Sequence, residues 1–236
     1  MFESRAPRLL VLWAPDWPVR AHAAAERVPE GAPVALLEKN LVLACSASAR
    51  AEGVRRGMRQ REAQARVPGI RLLRYDPALD ARAFEPVLTA LEGALPGVHP
   101  LRPGMVAVRA RGPARYYGGE RSAALALLGL LAEHGVPDAR AGVADGLFAA
   151  ERAARRAPGP GPGAGPVTVV PSGETAAFLA PLPVDLLDDA ELTSLLPRLG
   201  IRTLGQFAAL AESDVAARFG PLGARLHALA SGRDPR

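Results

Sequence analysis

The sequence has one lysine, one cysteine and few aromatic residues among its 236 positions, and it has no long apolar run. A lone thiol, Cys45, excludes an internal disulfide and any thiolate-bound metal cluster. It lies in the run Val42-Leu43-Ala44-Cys45 and reads as a small buried hydrophobe on a strand. No stretch approaches the roughly 20 apolar residues of a membrane span, and the N-terminus has no signal-peptide pattern, so a soluble cytoplasmic protein is expected. The histidines, His22, His99, His134 and His227, are scattered without the spacing of a zinc site and read as solvated or structural. There is no phosphate-binding P-loop, dinucleotide fingerprint or Ser-His-Asp set. No cofactor is expected.

What the sequence does hold is arginine, alanine, glycine and proline. The net charge of +5 and pI near 10.3 suit a nucleic-acid partner. With Lys39 the one lysine, a GC-rich coding sequence accounts for the same bias. Arg50, Arg55, Arg56, Arg59, Arg61 and Arg66 form the densest cluster, which fits either a polyanion surface or a solvated helix face. The length allows one large domain or two to three small ones.

Residues 8–13 predict a buried strand, and 33–38 with 41–45 a strand pair joined at Lys39-Asn40. Short helices are expected over 46–52, ended by Gly53, and over 59–66, ahead of Pro68. A strand at 70–74 and a helix over 78–95 follow. Residues 98–108 and Ala114-Arg115-Tyr116-Tyr117 predict strands, 121–134 a helix and 139–143 a strand. This order suits a ferredoxin-like α/β sheet. The stretch Ala157 to Pro166, rich in Gly and Pro, predicts a flexible loop. Most of the acids Asp80, Glu85, Glu92 and Asp145 read as ordinary helix-surface or cap residues.

Four segments, in order, resemble the Y-family DNA polymerases. Leu9-Leu10-Val11-Leu12-Trp13-Ala14-Pro15-Asp16 resembles the first palm strand and its Asp-x-Asp turn. Ala49-Arg50-Ala51-Glu52-Gly53-Val54-Arg55-Arg56-Gly57-Met58 with Glu62-Ala63-Gln64-Ala65 resembles the fingers motif A-R-x-x-G-V-x-x-G-M…E-A. Val143-Ala144-Asp145-Gly146-Leu147-Phe148-Ala149-Ala150 resembles the palm segment G-V-A-x-x-K-x-L-A-K. Leu199 to Phe207, Phe219-Gly220-Pro221-Leu222-Gly223 and Gly232-Arg233-Asp234 resemble the thumb. The resemblance implies a palm of residues 1–18 and 79–170, fingers of 19–78 and a helical thumb of 171–236, with Val167-Thr168-Val169-Val170 returning to the palm sheet.

Nucleotidyl transfer needs two divalent metals on carboxylates, and magnesium needs hard oxygen ligands. The positions that would supply them here are Ala14, Gly104 and Met105. Asp16 survives as the second acid of the turn and is expected to cap or anchor it. By the same resemblance the triphosphate contacts fall on Ala47 and Leu147, the sugar-discriminating position on Val19, and the kept arginine is Arg50. The sequence therefore resembles the ImuB-type non-catalytic branch of the family.

That resemblance implies an adaptor in damage-induced translesion synthesis and mutagenesis, not an enzyme. Its partners would be DNA, an error-prone replicative-type polymerase, a sliding clamp and a RecA-like accessory protein. DNA contacts are expected at Arg55, Arg56 and Arg59 and at the glycine turn Gly220 to Gly223, for which a helix C-cap is the plain alternative. The first helix-hairpin-helix turn falls on Leu187-Asp188-Asp189, whose acids would repel phosphate. The chain stops where the family passes from thumb to a little-finger domain, so that domain, the clamp-binding peptide and the partner-binding tail would lie outside this sequence. Two alternatives remain: an active polymerase with displaced ligands such as Asp16 and Asp145, and a stand-alone damaged-DNA-binding module.

Overall fold

The computed structural model describes residues 6–159 and 165–234, so most of the predicted Gly/Pro loop, residues 160–164, lies outside the described residues. In chain order the strands are β1 (Arg8–Trp13), β2 (Val34–Glu38), β3 (Leu41–Cys45), β4 (Arg71–Arg74), β5 (His99–Arg102), β6 (Met105–Arg109), β7 (Arg140–Asp145) and β8 (Val167–Val169). The helices are α1 (Trp17–Ala25), α2 (Ala47–Ala51), α3 (Gln60–Arg66), α4 (Pro77–Ala94), α5 (Arg111–Tyr117), α6 (Glu120–Glu133), α7 (Leu147–Arg156), α8 (Thr175–Leu179), α9 (Ala190–Arg198), α10 (Leu204–Ala208) and α11 (Glu212–Ala230).

A five-stranded sheet has the order β5-β6-β1-β7-β8. Its first four members, taken as β1, β5, β6 and β7 in chain order, lie second, third, first, fourth, which is the split βαβ arrangement. Leu10, Val11 and Leu12 are all buried, as a central strand covered on both faces requires. The chain divides into two compact units, residues 13–106 with 130–139, and residues 1–12, 107–129 and 140–236.

The first unit contains a second sheet, β3-β2-β4, with β2 antiparallel to β3 and parallel to β4. Lys39 and Asn40 both take positive φ, 49° and 63°, as a tight turn matched to the strand twist demands. Alternation along β2 buries both of its faces. Ala35 joins Val42, Cys45, Ala49, Val54, Ala63 and Ile70, while Val34 and Leu36 pack with Val19.

In the second unit β8 runs parallel to β7 in the register Gly142↔Thr168, as the resemblance implied for residues 167–170. Helix α7 lies on β7 through its small face, Ala149, Ala150, Ala153 and Ala154. The approach is close enough that a Cβ on Gly142 would stand 2.1 Å from the Ala154 nitrogen. The region after residue 174 is helical. Thr203 and Gln206 form a reciprocal capping box at α10, and Asp189 caps α9 by accepting from the Leu192 N–H at 2.6 Å.

One predicted element is wrong. Ala114-Arg115-Tyr116-Tyr117 is the latter part of helix α5. The paired tyrosines favour a strand, but α5 buries no residue and Tyr116 is 83% exposed, so no cross-strand packing rewards that preference. Pro113 in the opening turns and Gly118 in the left-handed region bound a helix instead.

Candidate functional site

The turn from β1 into α1 and the turn from β5 into β6 meet in the first unit. The Ala14 N–H donates to the Gly104 carbonyl at 2.8 Å. Ala14 is 3% exposed and Met105 1% exposed, and Gly104 is buried as well, so all three positions lie in the core. Gly104 has φ +80°, and a Cβ there would stand 2.4 Å from Trp17 Cβ and 2.8 Å from Trp17 Cγ. The indole of Trp17 in turn meets Phe84 edge-on, with ring centroids 4.9 Å apart. Thus the space a side chain at residue 104 would use is filled by tryptophan. The methyl of Ala14, the hydrogen of Gly104 and the thioether of Met105 offer no hard oxygen, so a divalent ion does not fit these side chains. Among the described residues no group of three or more His, Cys, Asp or Glu side chains is arranged to hold a metal.

Asp16 is the nearest acid in sequence, in the left-handed conformation at φ 52° just before α1. It does not cap that helix through its side chain. Its carboxylate instead receives both terminal nitrogens of Arg50, at 3.1 and 2.5 Å, a bidentate pair that anchors the turn to α2. Arg50 also donates to the Cys45 carbonyl at 3.2 Å, and hydrogen bonding to Asp16 raises its pKa above the usual guanidinium value. The arginine expected to face a triphosphate is therefore satisfied within the protein.

The other predicted nucleotide positions lie in different elements. Ala47 is exposed at the start of α2, whereas Val19 is 3% exposed and packs against Val34 and Leu36. Leu147 belongs to the second unit, in the first turn of α7. Of the predicted DNA contacts, Arg55 turns back on its own backbone, donating to the Arg50 and Val54 carbonyls at 2.6 and 2.9 Å. Arg56 and Arg59 are exposed on either side of the Gly57 turn. Gly220 takes φ 64° and ψ −162°, which splits α11 into two helices with open space at the break. Gly223 is a packing glycine, since a Cβ there would stand 2.2 Å from Phe219 Cβ.

Sequence reasoning missed two polar clusters. In the first unit, Asp80 is 2% exposed rather than on the helix surface. One of its oxygens accepts from the Tyr75 hydroxyl at 3.2 Å, and Oδ1 has no partner. Burial raises the Asp80 pKa, while burial and the neighbouring Asp80 raise that of Tyr75. Beside them His22 stacks on Tyr75 and accepts the Asp76 N–H on Nε2 at 2.9 Å, which leaves Nδ1 to donate to the Pro18 carbonyl at 2.7 Å. No motif signalled this; an aspartate at a helix start reads as exposed.

In the second unit Arg8 joins β1 to Glu120 and Asp145. It meets Glu120 through Nε and a terminal nitrogen, both at 2.7 Å, Asp145 at 3.3 Å and the Val170 carbonyl at 2.7 Å. Hydrogen bonding to Glu120 raises its pKa. Asp145 also receives the Gly173 N–H at 2.7 Å.

The impB/mucB/samB family matches residues 19–155. Protein ImuB of Caulobacter vibrioides strain NA1000 / CB15N is 35% identical over 167 residues, 70% of this chain and 34% of that protein, and the same figures hold for strain ATCC 19089 / CIP 103742 / CB 15. The matched stretch thus spans about a third of the length of these curated relatives. Among solved structures, a ternary complex of Dbh superposes with a TM-score of 0.74 at 15% identity, over 97% of this chain and 68% of that one. DinB from Sulfolobus solfataricus gives 0.73 at 16% identity with the same coverage.

Proposed function

Because this chain belongs to the impB/mucB/samB family and has the fold of its Y-family polymerase neighbours, we propose that it is a non-catalytic member acting as an adaptor in damage-induced translesion synthesis and mutagenesis. Residues 1–18 and 79–170 serve as palm, 19–78 as fingers and 171–236 as thumb. The observation that carries the reading is the hydrogen bond from Ala14 to Gly104, with Met105 next in the chain. It supports the reading by joining the backbones of Ala14 and Gly104, and none of Ala14, Gly104 and Met105 bears an oxygen on its side chain.

An active site rebuilt from other acids is disfavoured, since Asp16 is paired with Arg50 and Asp145 with Arg8. Binding to DNA rests on phosphate contacts from exposed arginines such as Arg56 and Arg59 and on the backbone at Gly220. An error-prone replicative-type polymerase, a sliding clamp and a RecA-like accessory protein are the proposed partners. Primer extension tests the reading. The purified protein should extend no primer with any nucleotide in magnesium or manganese. Template-dependent incorporation that survives repurification and Asp16→Ala would end it.

A further inference from the structure

The helical region of the second unit is tied at both ends to the four residues where β7 passes into α7. At its near end the Asp145 carboxylate accepts the Gly173 N–H, at 2.7 Å, and the Ser172 hydroxyl, at 3.3 Å, while the Thr175 hydroxyl donates to the Asp145 carbonyl at 3.3 Å. At its far end Asp234, beyond the last turn of α11, accepts through Oδ2 from the N–H groups of Leu147 and of Phe148, the latter at 3.2 Å. The cap position before α7 is Gly146, which has no side chain to offer. The exposed donors of the first turn are therefore met by a carboxylate 86 residues later in the chain.

The approach is built into the backbone. A Cβ on Gly146, at φ +89°, would stand 2.9 Å from Asp234 Cβ and Oδ2. On the other strand of the contact, a Cβ on Gly232, at φ +76°, would stand 3.0 Å from the Ala176 nitrogen at the start of α8. The two ties differ in kind. Asp145 is buried and held by Arg8, whereas the Asp234 tie is one carboxylate, flanked by an Arg233–Glu212 pair whose side chains are 52% and 56% exposed.

We propose that Gly232-Arg233-Asp234 is a clasp. While closed, the Asp234 carboxylate caps α7 and fixes the end of α11 against the β7–α7 junction. When it opens, the helical region pivots about the Asp145 tie. A cap drawn from the adjacent residue would stabilise α7 equally and couple it to nothing; a cap drawn from beyond α11 makes the order of α7 and the placement of the helical region a single equilibrium.

Hydrogen exchange and a distance measurement test this together. Loss of an N-cap corresponds to about a five- to tenfold increase in local opening. Asp234→Ala and the near-isosteric Asp234→Leu, which leave no side-chain oxygen to accept, should therefore speed exchange at the Leu147 and Phe148 amides by about that factor, with Val143 in β7 unchanged as a control. Spin labels on cysteines replacing the exposed Arg156 in α7 and Arg225 in α11 should give one narrow distance distribution in the parent and a broadened one in Asp234→Leu. Unchanged exchange at the two amides overturns the remote cap. Faster exchange with an unchanged distance distribution overturns the clasp, because the contact then acts on α7 alone. If Asp234→Ala speeds exchange at Val143 as well, it has unfolded globally, and the same two criteria are applied to Asp234→Leu, which keeps the branched shape without an acceptor.

Discussion

Replacing Gly104 with alanine would put a Cβ 2.4 Å from Trp17 Cβ, where relief requires moving backbone because the obstacle is the root of the tryptophan side chain. Two costs add. The left-handed conformation at φ +80° costs an alanine roughly 1–2 kcal/mol, and forcing a methyl into a filled core costs about 1–3 kcal/mol more. The sum, about 2–5 kcal/mol, is a large share of the roughly 5–15 kcal/mol that holds an ordinary domain together. For a chain of this size it corresponds to a fall in Tm on the order of 10 °C. Gly97 supplies the control. It lies in the same unit at φ +74° with nothing within 4 Å of an added Cβ, so Gly97→Ala carries the backbone cost without the overlap. Urea denaturation of both variants should show Gly104→Ala losing more stability than Gly97→Ala by about 1–3 kcal/mol. Equal losses would refute the argument that Trp17 occupies the space of a side chain at residue 104.

Asp80→Asn should be more stable than the parent at neutral pH. The raised pKa of Asp80 means its contribution to stability is present in acid and lost as pH rises through the folded value, so the advantage of asparagine should shrink as pH falls; denaturation midpoints at pH 7.5 and 4.5 check this, and an advantage that grows in acid contradicts it. Asp16→Ala should change stability by less than about 1 kcal/mol, because the Arg50 pair is well exposed, and a calorimetric titration with manganese should give the same flat trace for parent and variant. Arg56→Glu with Arg59→Glu should weaken binding to a labelled primer-template and flatten its dependence on salt, read by anisotropy at several salt concentrations; an unchanged isotherm would return both residues to a solvated face.

Much of the fold was legible because local chemistry and tertiary demand agree. Lys39-Asn40 between two apolar runs specified the hairpin, and Gly53 specified the end of α2; that the Ser46 hydroxyl closes its first turn by accepting the Ala49 N–H at 3.2 Å is seen only in the structure. Where they disagree the reading failed, as at Tyr116-Tyr117. The aligned positions Ala14, Gly104 and Met105 were legible as residue types. That Trp17 fills the space between two turns was not, because the packing joins residues far apart in sequence. The same holds for Arg50, whose side chain could be read as a ligand contact until its partner Asp16 came into view, and for Asp80, whose burial depends on Tyr75 and Trp17 closing over it.

The tight turn at Lys39 has a practical consequence. A lysine-specific endoproteinase has one side chain to recognise in the whole sequence, and that residue sits between β2 and β3 with φ 49°. A protease binds its substrate extended, so the native chain can be cut only after the hairpin has opened locally. Each cut yields the same two pieces, residues 1–39 and 40–236, and their appearance on a gel is a clock for the opening of that one hairpin, undisturbed by cleavage anywhere else.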